Sequence, residues 1–197
     1  MDLDHVTFRP ATPSRWADVE ALFGERGACG GCWCMAWRLP PAAWKAGKGA
    51  TNRRALKRLV ASGRPPGVLA YDGPTPIGWC AVAPRAEYGH LARSRVLAPV
   101  DGQPVWSVSC LFVLKPYRRQ GLSARLIDAA VAFAQRRGAR IVEGYPVTPH
   151  AANAPAPFLW TGTIPAFERA GFAVAARRSP GRPVMRRSRR DAPAESR

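Results

Sequence analysis

The sequence predicts a single α/β (α+β) domain in which helices flank a mixed, mostly antiparallel sheet. Three observations lead to this prediction. The chain has 197 residues, of which 47% are hydrophobic, enough to build one sizeable core. An apolar run at 105–113 is followed by a short turn and an amphipathic segment, which together predict a strand–turn–helix unit. Two candidate hairpins, at 68–82 and 172–187, argue against an all-parallel sheet.

Seven short apolar runs predict the strands of this sheet. They are rich in β-branched or aromatic residues and are bounded by turn-forming residues. They lie at residues 6–10, 68–71, 77–82, 105–113, 140–145, 172–177 and 184–187. The turn Asp72-Gly73-Pro74 joins the second and third strands into a hairpin, and the last two are close enough along the chain to form another.

Four segments carry apolar residues at helical spacing and predict the flanking helices. They lie at residues 15–23, 51–62, 122–134 and 164–170. Thr51 and Asn52 are candidate N-caps of the second helix, and Gly138 and Gly171 end the third and fourth. Two long connections remain, a glycine- and proline-containing one at 24–49 and a basic one at 85–104.

Composition limits the location and the partners. No run of about 20 apolar residues is present to span a membrane, and the acidic segment 1–5 is unlike a signal peptide, so we expect a cytoplasmic protein without membrane contact. The net charge is +17, and residues 182–197 carry +4 of it, which predicts a basic, flexible tail at 188–197 after a domain at 1–187. A basic domain attracts polyanions such as nucleic acid or a phosphorylated cofactor, although a solvated arginine-rich surface explains the charge equally well.

The cysteines invite a metal-site hypothesis. Cys29, Cys32 and Cys34 have a spacing that can bind zinc, but a closed tetrahedral site needs a fourth ligand, and no second Cys-x-x-Cys pair is present. We therefore expect no metal and buried free thiols instead. The odd count of five cysteines and the lack of an export signal argue against a disulfide framework.

The most informative segment is the basic turn between the strand at 105–113 and the following helix. Its sequence is Arg118-Arg119-Gln120-Gly121-Leu122-Ser123-Ala124. A glycine-containing turn that opens a helix directs several backbone N–H groups and the positive end of the helix dipole at one spot. The turn therefore predicts a phosphate site, and with it a phosphorylated cofactor.

Two segments resemble the signatures of the GNAT superfamily of N-acetyltransferases. Arg118 and Gly121 match the acetyl-CoA-binding pattern of that family, with Ser123 where glycine or alanine is usual. Residues 167–172 resemble the family's late helix followed by Gly-Phe, and the order of elements fits over 6–185. The resemblance implies a single GNAT-like domain with a sheet splayed at its centre, and acetyl-CoA as acyl donor.

The resemblance also implies where acetyl-CoA binds. The turn would surround the pyrophosphate, and the pantetheine arm would insert beside the strand that precedes the turn. Asn153 is a further candidate contact, or else the cap of a loop turn. The implied cofactor-binding residues are Leu111, Phe112, Val113, Arg118, Arg119, Gln120, Gly121, Leu122, Ser123, Ala124 and Asn153.

The two usual catalytic positions of the family are altered in this chain. Many members use a glutamate base and a tyrosine acid, and the aligned residues here are Ser107 and Phe167. Glu143 is the candidate for a relocated base, and Tyr145, on the same strand face, is the candidate acid. The alternatives are an ion pair of Glu143 with an arginine and a packed aromatic ring for Tyr145.

The acceptor is less well defined. In the resembled fold the connection between the first two helices covers the acceptor pocket, so Trp33, Met35 and Trp37 are candidate substrate-binding residues, or else a satellite core under a long loop. We expect transfer of acetyl to a primary amine of a small molecule by direct attack. The alternatives are a macromolecular amine, on a protein or aminoacyl-tRNA, and a catalytically silent acyl-CoA-binding regulator. A homodimer is compatible with the resemblance, and nucleic acid is not the favoured partner.

Overall fold

The computed structural model describes residues 3–148 and 158–189. These residues form seven strands, at Thr7–Pro10 (β1), Gly67–Asp72 (β2), Thr75–Pro84 (β3), Trp106–Val113 (β4), Ile141–Gly144 (β5), Ala173–Ala176 (β6) and Val184–Ser188 (β7). They also form five α-helices, at Trp16–Phe23 (α1), Pro41–Ala46 (α2), Ala50–Ala61 (α3), Leu122–Arg136 (α4) and Ile164–Arg169 (α5). None of these helices is long and apolar enough to cross a membrane.

The seven strands form one sheet in the order β1-β2-β3-β4-β5-β7-β6. β4 and β5 are parallel, whereas the other neighbouring pairs of described strands are antiparallel. Helix α4 packs on one face of the sheet and α1 on the other. The predicted mixed, mostly antiparallel sheet is confirmed, as are both hairpins, β2–β3 and β6–β7.

The pairing between β4 and β5 stops partway along β4. Its last register pair is Val108 with Gly144, whereas β4 continues to Val113. On the other side of β4 the Leu114 N–H donates to the Ile77 carbonyl at 3.0 Å, so by strand alternation Leu111 and Val113 direct their backbone groups away from β3. We call the resulting opening beside residues 111–113 the fork; it is the splayed centre that the resemblance implied.

A third group of buried residues lies under the connection between β3 and β4. This connection contains short 3-10 turns at Arg85–Glu87 and Leu91–Arg93 and covers the sheet near β5 and β7. Its apolar side chains pack with residues of β3, of β7 and of the segment that follows β5. The buried members are Ala83, Tyr88, Leu91, Leu97, Tyr145 and Val184. The basic connection of the sequence is therefore folded onto the sheet.

The region between α1 and β2 departs from the sequence prediction. Residues 24–49 contain the short helix α2, which has a proline in its first turn. Helix α3 begins at Ala50 after Gly49, so the prediction of Thr51 and Asn52 as N-caps is wrong. The buried Asn52 side chain instead donates to the carbonyls of Gly31 (3.3 Å) and Trp44 (3.1 Å), which attaches the preceding loop to the helix.

The predicted boundary between the domain at 1–187 and the tail at 188–197 stays a prediction. Strand β7 ends at Ser188, and residues 190–197 lie outside the described part of the chain.

Candidate active site

The turn after β4 reaches α4 with two residues in the left-handed region, Arg119 (φ 62°) and Gly121 (φ 86°). The Ala124 N–H donates to the Gly121 carbonyl at 3.1 Å, and this bond begins the helix. The N–H groups of Leu122 and Ser123 lie before it and therefore have no acceptor within the helix. These N–H groups and the positive end of the helix dipole suit an anion. We call residues 118–124 the cradle.

Side chains of the cradle hold its shape. Arg118 Nε donates to the Val113 carbonyl at 2.8 Å, and Gln120 Nε2 donates to the Pro116 carbonyl at 2.6 Å. Leu122 and Ala124 are buried in or beside the core, and the Ala124 N–H is already bonded to the Gly121 carbonyl, so of these two residues it is the Leu122 N–H that the cradle can offer to a ligand. The cradle thus presents a backbone surface that is fixed by bonds back to the end of β4.

The predicted pantetheine contacts Leu111, Phe112 and Val113 direct their backbone groups alternately to the two sides of β4. The Leu111 N–H faces the fork and donates to the Trp160 carbonyl at 2.7 Å. Since the Val113 carbonyl accepts from Arg118, the groups of this strand edge that still face the fork are the Leu111 carbonyl and the Val113 N–H. Phe112 directs its backbone toward β3 and packs its ring against Phe23, with centroids 5.8 Å apart.

Glu143 and Tyr145 lie side by side, 1% and 0% exposed, at the end of β5. The Tyr145 hydroxyl donates to Glu143 Oε2 at 2.8 Å and lies 2.7 Å from Ser107 Oγ. Arg85 Nη1 donates to the Tyr145 hydroxyl (2.6 Å) and to Glu143 Oε2 (3.1 Å). Burial, and then the neighbouring carboxylate of Glu143, raise the pKa of Tyr145 above its usual value, so its phenol is protonated at neutral pH.

Arg186 of β7 binds the other carboxylate oxygen. Its Nε donates to Glu143 Oε1 at 2.9 Å, and its Nη1 and Nη2 donate to Asp101 at 2.6 and 3.0 Å. Arg85 Nη2 donates in addition to the Leu97 carbonyl at 2.5 Å. Glu143 is therefore ion-paired with two arginines. The network attaches the connection between β3 and β4 to β5 and β7.

The aligned positions of the usual base and acid lie near these residues. Ser107 is buried and belongs to the Tyr145 network. The Phe167 ring contacts Gly144, where a Cβ atom would clash with it, and meets Phe172 edge-on at 5.0 Å. Phe167 thus lies where the β4–β5 register ends, but it has no polar atom to offer.

The structure brings one of the three predicted acceptor residues to the fork. Trp33 and Met35 are buried in the core on the α1 side, where Trp33 stacks with Trp16 at 6.2 Å. Trp37, in contrast, lies with its ring centroid 5.7 Å from that of Trp160, whose carbonyl binds β4. Trp33 and Met35 thus occupy core positions, the alternative that the sequence left open.

Sequence reasoning missed several residues beside Trp37. Its ring lies 5.2 Å from the His90 ring, and Arg182 Cζ lies 5.5 Å from its centroid. Trp160, His90 and Arg182 come from three different connections, so no local periodicity relates them. The available signals were a lone tryptophan after a proline- and alanine-rich loop, and an arginine between Gly181 and Pro183 in the last hairpin. Asn153, the remaining predicted cofactor contact, lies outside the described residues.

The cysteines are distributed over different environments. Cys29 is exposed, Cys32 is half-buried and Cys34 is buried. Within residues 3–148 and 158–189, no three His, Cys, Asp or Glu side chains are grouped so that they could hold a metal ion. Trp79 Nε1 donates to Cys34 Sγ at 3.2 Å, and a hydrogen bond from Cys110 lowers the pKa of Cys34 although burial opposes it. The same hydrogen bond, together with burial, raises the pKa of Cys110.

The family follows from a comparison with known proteins. The model of the acetyltransferase (GNAT) family matches residues 33–172, well over half of the chain. The chain therefore belongs to this family of acetyltransferases. The predicted resemblance and the predicted enzyme class are confirmed.

Solved structures share the fold at low sequence identity. PaiA N-acetyltransferase from Thermoplasma acidophilum, in complex with coenzyme A, has a TM-score of 0.53 and 10% identity over 93% of this chain and 99% of its own. AAC(6')-Ib with ribostamycin and coenzyme A has a TM-score of 0.51 and 18% identity over 94% of each chain. The NatC complex bound to Gag peptide and CoA has a TM-score of 0.50 and 13% identity over 93% and 98%. No curated protein matches the chain.

Proposed function

We propose that the protein transfers the acetyl group of acetyl-CoA to a primary amine of a small molecule by direct attack. The observation that carries this proposal is the continuity of fork and cradle along β4. At the strand edge the Leu111 carbonyl and the Val113 N–H face the fork, and the turn that suits a phosphate follows directly after Val113. A ligand with an amide-containing arm attached to a pyrophosphate matches this order of binding groups.

The residues of the fork and cradle fit acetyl-CoA. The Leu111 carbonyl and the Val113 N–H provide an acceptor and a donor for the pantetheine amides, as an added strand requires. The N–H groups of Leu122 and Ser123 provide donors for the pyrophosphate. Gln120 Oε1 is buried and has no hydrogen-bond donor among the residues that the structure describes, so it adds an acceptor beside the cradle.

When bound, acetyl-CoA would supply an activated thioester, which the amine can attack directly with CoA thiolate as the leaving group. The task of the chain is to hold the amine and the acetyl carbon in contact and to exclude water, which accounts for large rate factors. The rings of Trp37 and Trp160 pack against each other beside Leu111, whose N–H binds the Trp160 carbonyl. The structural relatives reported above were solved with coenzyme A, which supports this choice of donor.

Glu143 as base and Tyr145 as acid remain a proposal. Their place at the end of β5 and their shared hydrogen bond support it. Two features oppose it. The two arginines stabilise Glu143 as a carboxylate and so weaken it as a base, and the raised pKa of Tyr145 makes its phenol a weak acid. The pair would therefore move a proton only as part of a network with Ser107 and Arg85.

The proposed function is tested by measuring acetyl-CoA binding calorimetrically and CoA release with a panel of primary amines, peptides and aminoacyl-tRNA. We expect acetyl-CoA to bind and small amines to stimulate CoA release. Binding without any productive acceptor would instead indicate a silent regulator. If acetyl-CoA does not bind at all, the proposal fails.

The assignment of Glu143 as the base is tested separately by measuring the activity of Glu143→Gln from about pH 6 to about pH 9. We expect a lower kcat and a changed pH profile. Asp128→Asn is the control, since Asp128 pairs with Arg187 on the exposed side of α4. Full activity of Glu143→Gln at every pH would remove Glu143 from the mechanism.

A macromolecular acceptor is the second candidate, and the net charge of +17 favours it. A relative in the fold, the NatC complex, was solved with a peptide. Steep loss of kcat/KM with increasing salt, together with a preference for aminoacyl-tRNA over every small amine, would favour this candidate over the first.

A further inference from the structure

Arg182 lies in the turn between β6 and β7 with one edge of its guanidinium buried and unpaired. Its Nε and Nη2 atoms are buried, and no acceptor for them occurs in residues 3–148 or 158–189. Burial lowers the pKa of this guanidinium. Arg186 differs, because its Nε, Nη1 and Nη2 atoms all donate to Glu143 or Asp101. A buried cation without an anion is costly, so this edge has the chemistry of a binding site.

Trp37 adds a third donor. Its indole Nε1 is also buried without an acceptor in the described part of the chain. The Arg182 guanidinium lies over this indole, with Cζ 5.5 Å from the ring centroid, which restrains its orientation. The two side chains therefore offer donors and no acceptors, and the complement of such a site is an anion.

The position of the site relates it to the acceptor. Trp37 contacts Trp160, whose carbonyl binds the Leu111 N–H on the fork side of β4. The Gly181 carbonyl accepts from the Thr148 N–H at 2.9 Å, in the segment that follows β5. Arg182 is thus linked to Leu111 through Trp37 and Trp160, and to the segment after β5 through its neighbour Gly181, whereas the cradle lies beyond Val113 at the other end of the fork. We therefore assign its anion to the acceptor and not to the pyrophosphate.

The geometry of the free donors favours a carboxylate. Nε and Nη2 form the side-on edge of a guanidinium, and this edge donates two parallel hydrogen bonds to a planar carboxylate. We propose that Arg182 and Trp37 bind a carboxylate of the acceptor, so that the substrate is a small amino acid-like molecule carrying both an amine and a carboxylate. This inference rests on the proposed function and specifies its substrate class.

The experiment compares amino acids with their carboxamides, which keep the amine but replace the carboxylate by a neutral group. For wild type we expect kcat/KM at least about tenfold higher for the acids, a difference of about 1.4 kcal/mol. Arg182→Met abolishes this preference by raising KM for the acids, and the Kd of acetyl-CoA does not change. Arg182→Lys keeps the charge but lacks the side-on edge, so it restores part of the preference.

Arg177→Gln is the matched control, because Arg177 belongs to the same hairpin connection but donates to the Pro180 carbonyl from an exposed position. It is expected to keep the preference for acids. Thermal unfolding of all variants shows whether each is folded. Equal use of acids and amides by wild type, or equal loss of both in Arg182→Met, overturns the inference. A stronger preference for a phosphorylated amine, such as phosphoethanolamine, shows that the anion is not a carboxylate.

A binding measurement separates this inference from the proposed function. Amino acids and their amides are titrated calorimetrically into the protein saturated with CoA. Tighter binding of the acids in wild type, lost in Arg182→Met, supports the site even if no acceptor is acetylated. Equal binding of acids and amides refutes the site even if acetyl transfer is observed.

Discussion

Glu143 and Arg186 face each other as a register pair of β5 and β7, and Arg186 Nε donates to Glu143 Oε1 at 2.9 Å. Arg85 binds the other oxygen of the same carboxylate, and Asp101 binds the other edge of Arg186. The two guanidinium groups and two carboxylates of this cluster sum to zero charge. Removal of the buried Glu143 therefore leaves its two arginines without their shared anion.

We expect Glu143→Gln to lower the free energy of unfolding by roughly 3 kcal/mol, because it leaves two largely buried guanidinium groups without their shared anion. Urea denaturation measures this loss. The control Asp128→Asn removes a pair whose side chains are 50% and 34% exposed, and should lose less than about 1 kcal/mol. Equal losses in the two variants would contradict the structural importance of the Glu143 cluster.

We expect the Asp101 carboxylate to make part of the free energy of unfolding depend on pH. The hydrogen bond from Arg186, and then that from the Gln103 N–H, hold the pKa of Asp101 below its usual value. Because the folded-state pKa is depressed, this contribution is complete above the unfolded pKa of about 3.9 and is lost as the pH falls through the lower folded value.

We therefore expect the stability difference between wild type and Asp101→Asn to be constant above about pH 5 and to shrink below about pH 4. Urea denaturation at a series of pH values measures it. A difference that stays the same down to the lowest pH at which the protein folds would show that Asp101 does not titrate in this way.

Gly121 and Gly138 offer a matched pair of substitutions at the two ends of α4. Both have a positive φ (86° and 88°), and a Cβ atom on either would meet no atom within 4 Å. Alanine at each position is expected to destabilise the fold by about 1 kcal/mol, because left-handed backbone disfavours a side chain.

The two variants should differ in cofactor binding. Gly121→Ala disturbs the cradle, and we expect it to raise the Kd of acetyl-CoA about tenfold, equivalent to about 1.4 kcal/mol. Gly138→Ala leaves the cradle intact and should bind as wild type does. Isothermal calorimetry distinguishes them, and unchanged binding by Gly121→Ala would place the phosphates elsewhere.

Thiol reactivity should follow burial. Cys29 is exposed, whereas Cys34 and Cys80 are buried and burial raises the pKa of Cys32. Because the thiolate is the reactive form, we expect Cys29 to react first with Ellman's reagent in the native protein and all five thiols to react in denaturant. Cys29→Ser should remove the fast phase. Rapid native modification of Cys34 would show that its loop opens.

Local patterns were sufficient for the strands, most helices and the cradle. The short apolar runs of β2 and β3, the amphipathic spacing in α4 and the turn before Leu122 are short-range features, because each is set by residues a few positions apart in the chain. They indicated the order of elements, and this order, together with the motifs at 118–123 and 167–172, was enough to predict the family. The helix α2 was missed, since six residues provide too little periodicity to detect.

Contacts between distant segments were beyond the reach of such patterns. Glu143 is adjacent in sequence to none of Arg85, Asp101 and Arg186; the sheet order pairs it with Arg186, and the folded connection between β3 and β4 brings in Arg85 and Asp101. The same holds for Trp37, Trp160 and Arg182, which come from three connections. Whether a tryptophan of the 24–49 connection enters the core, as Trp33 does, or reaches the fork, as Trp37 does, depends on packing against other elements. The chain's local chemistry thus predicts the donor site, whereas the proposed acceptor site depends on residues that only the folded connections bring together.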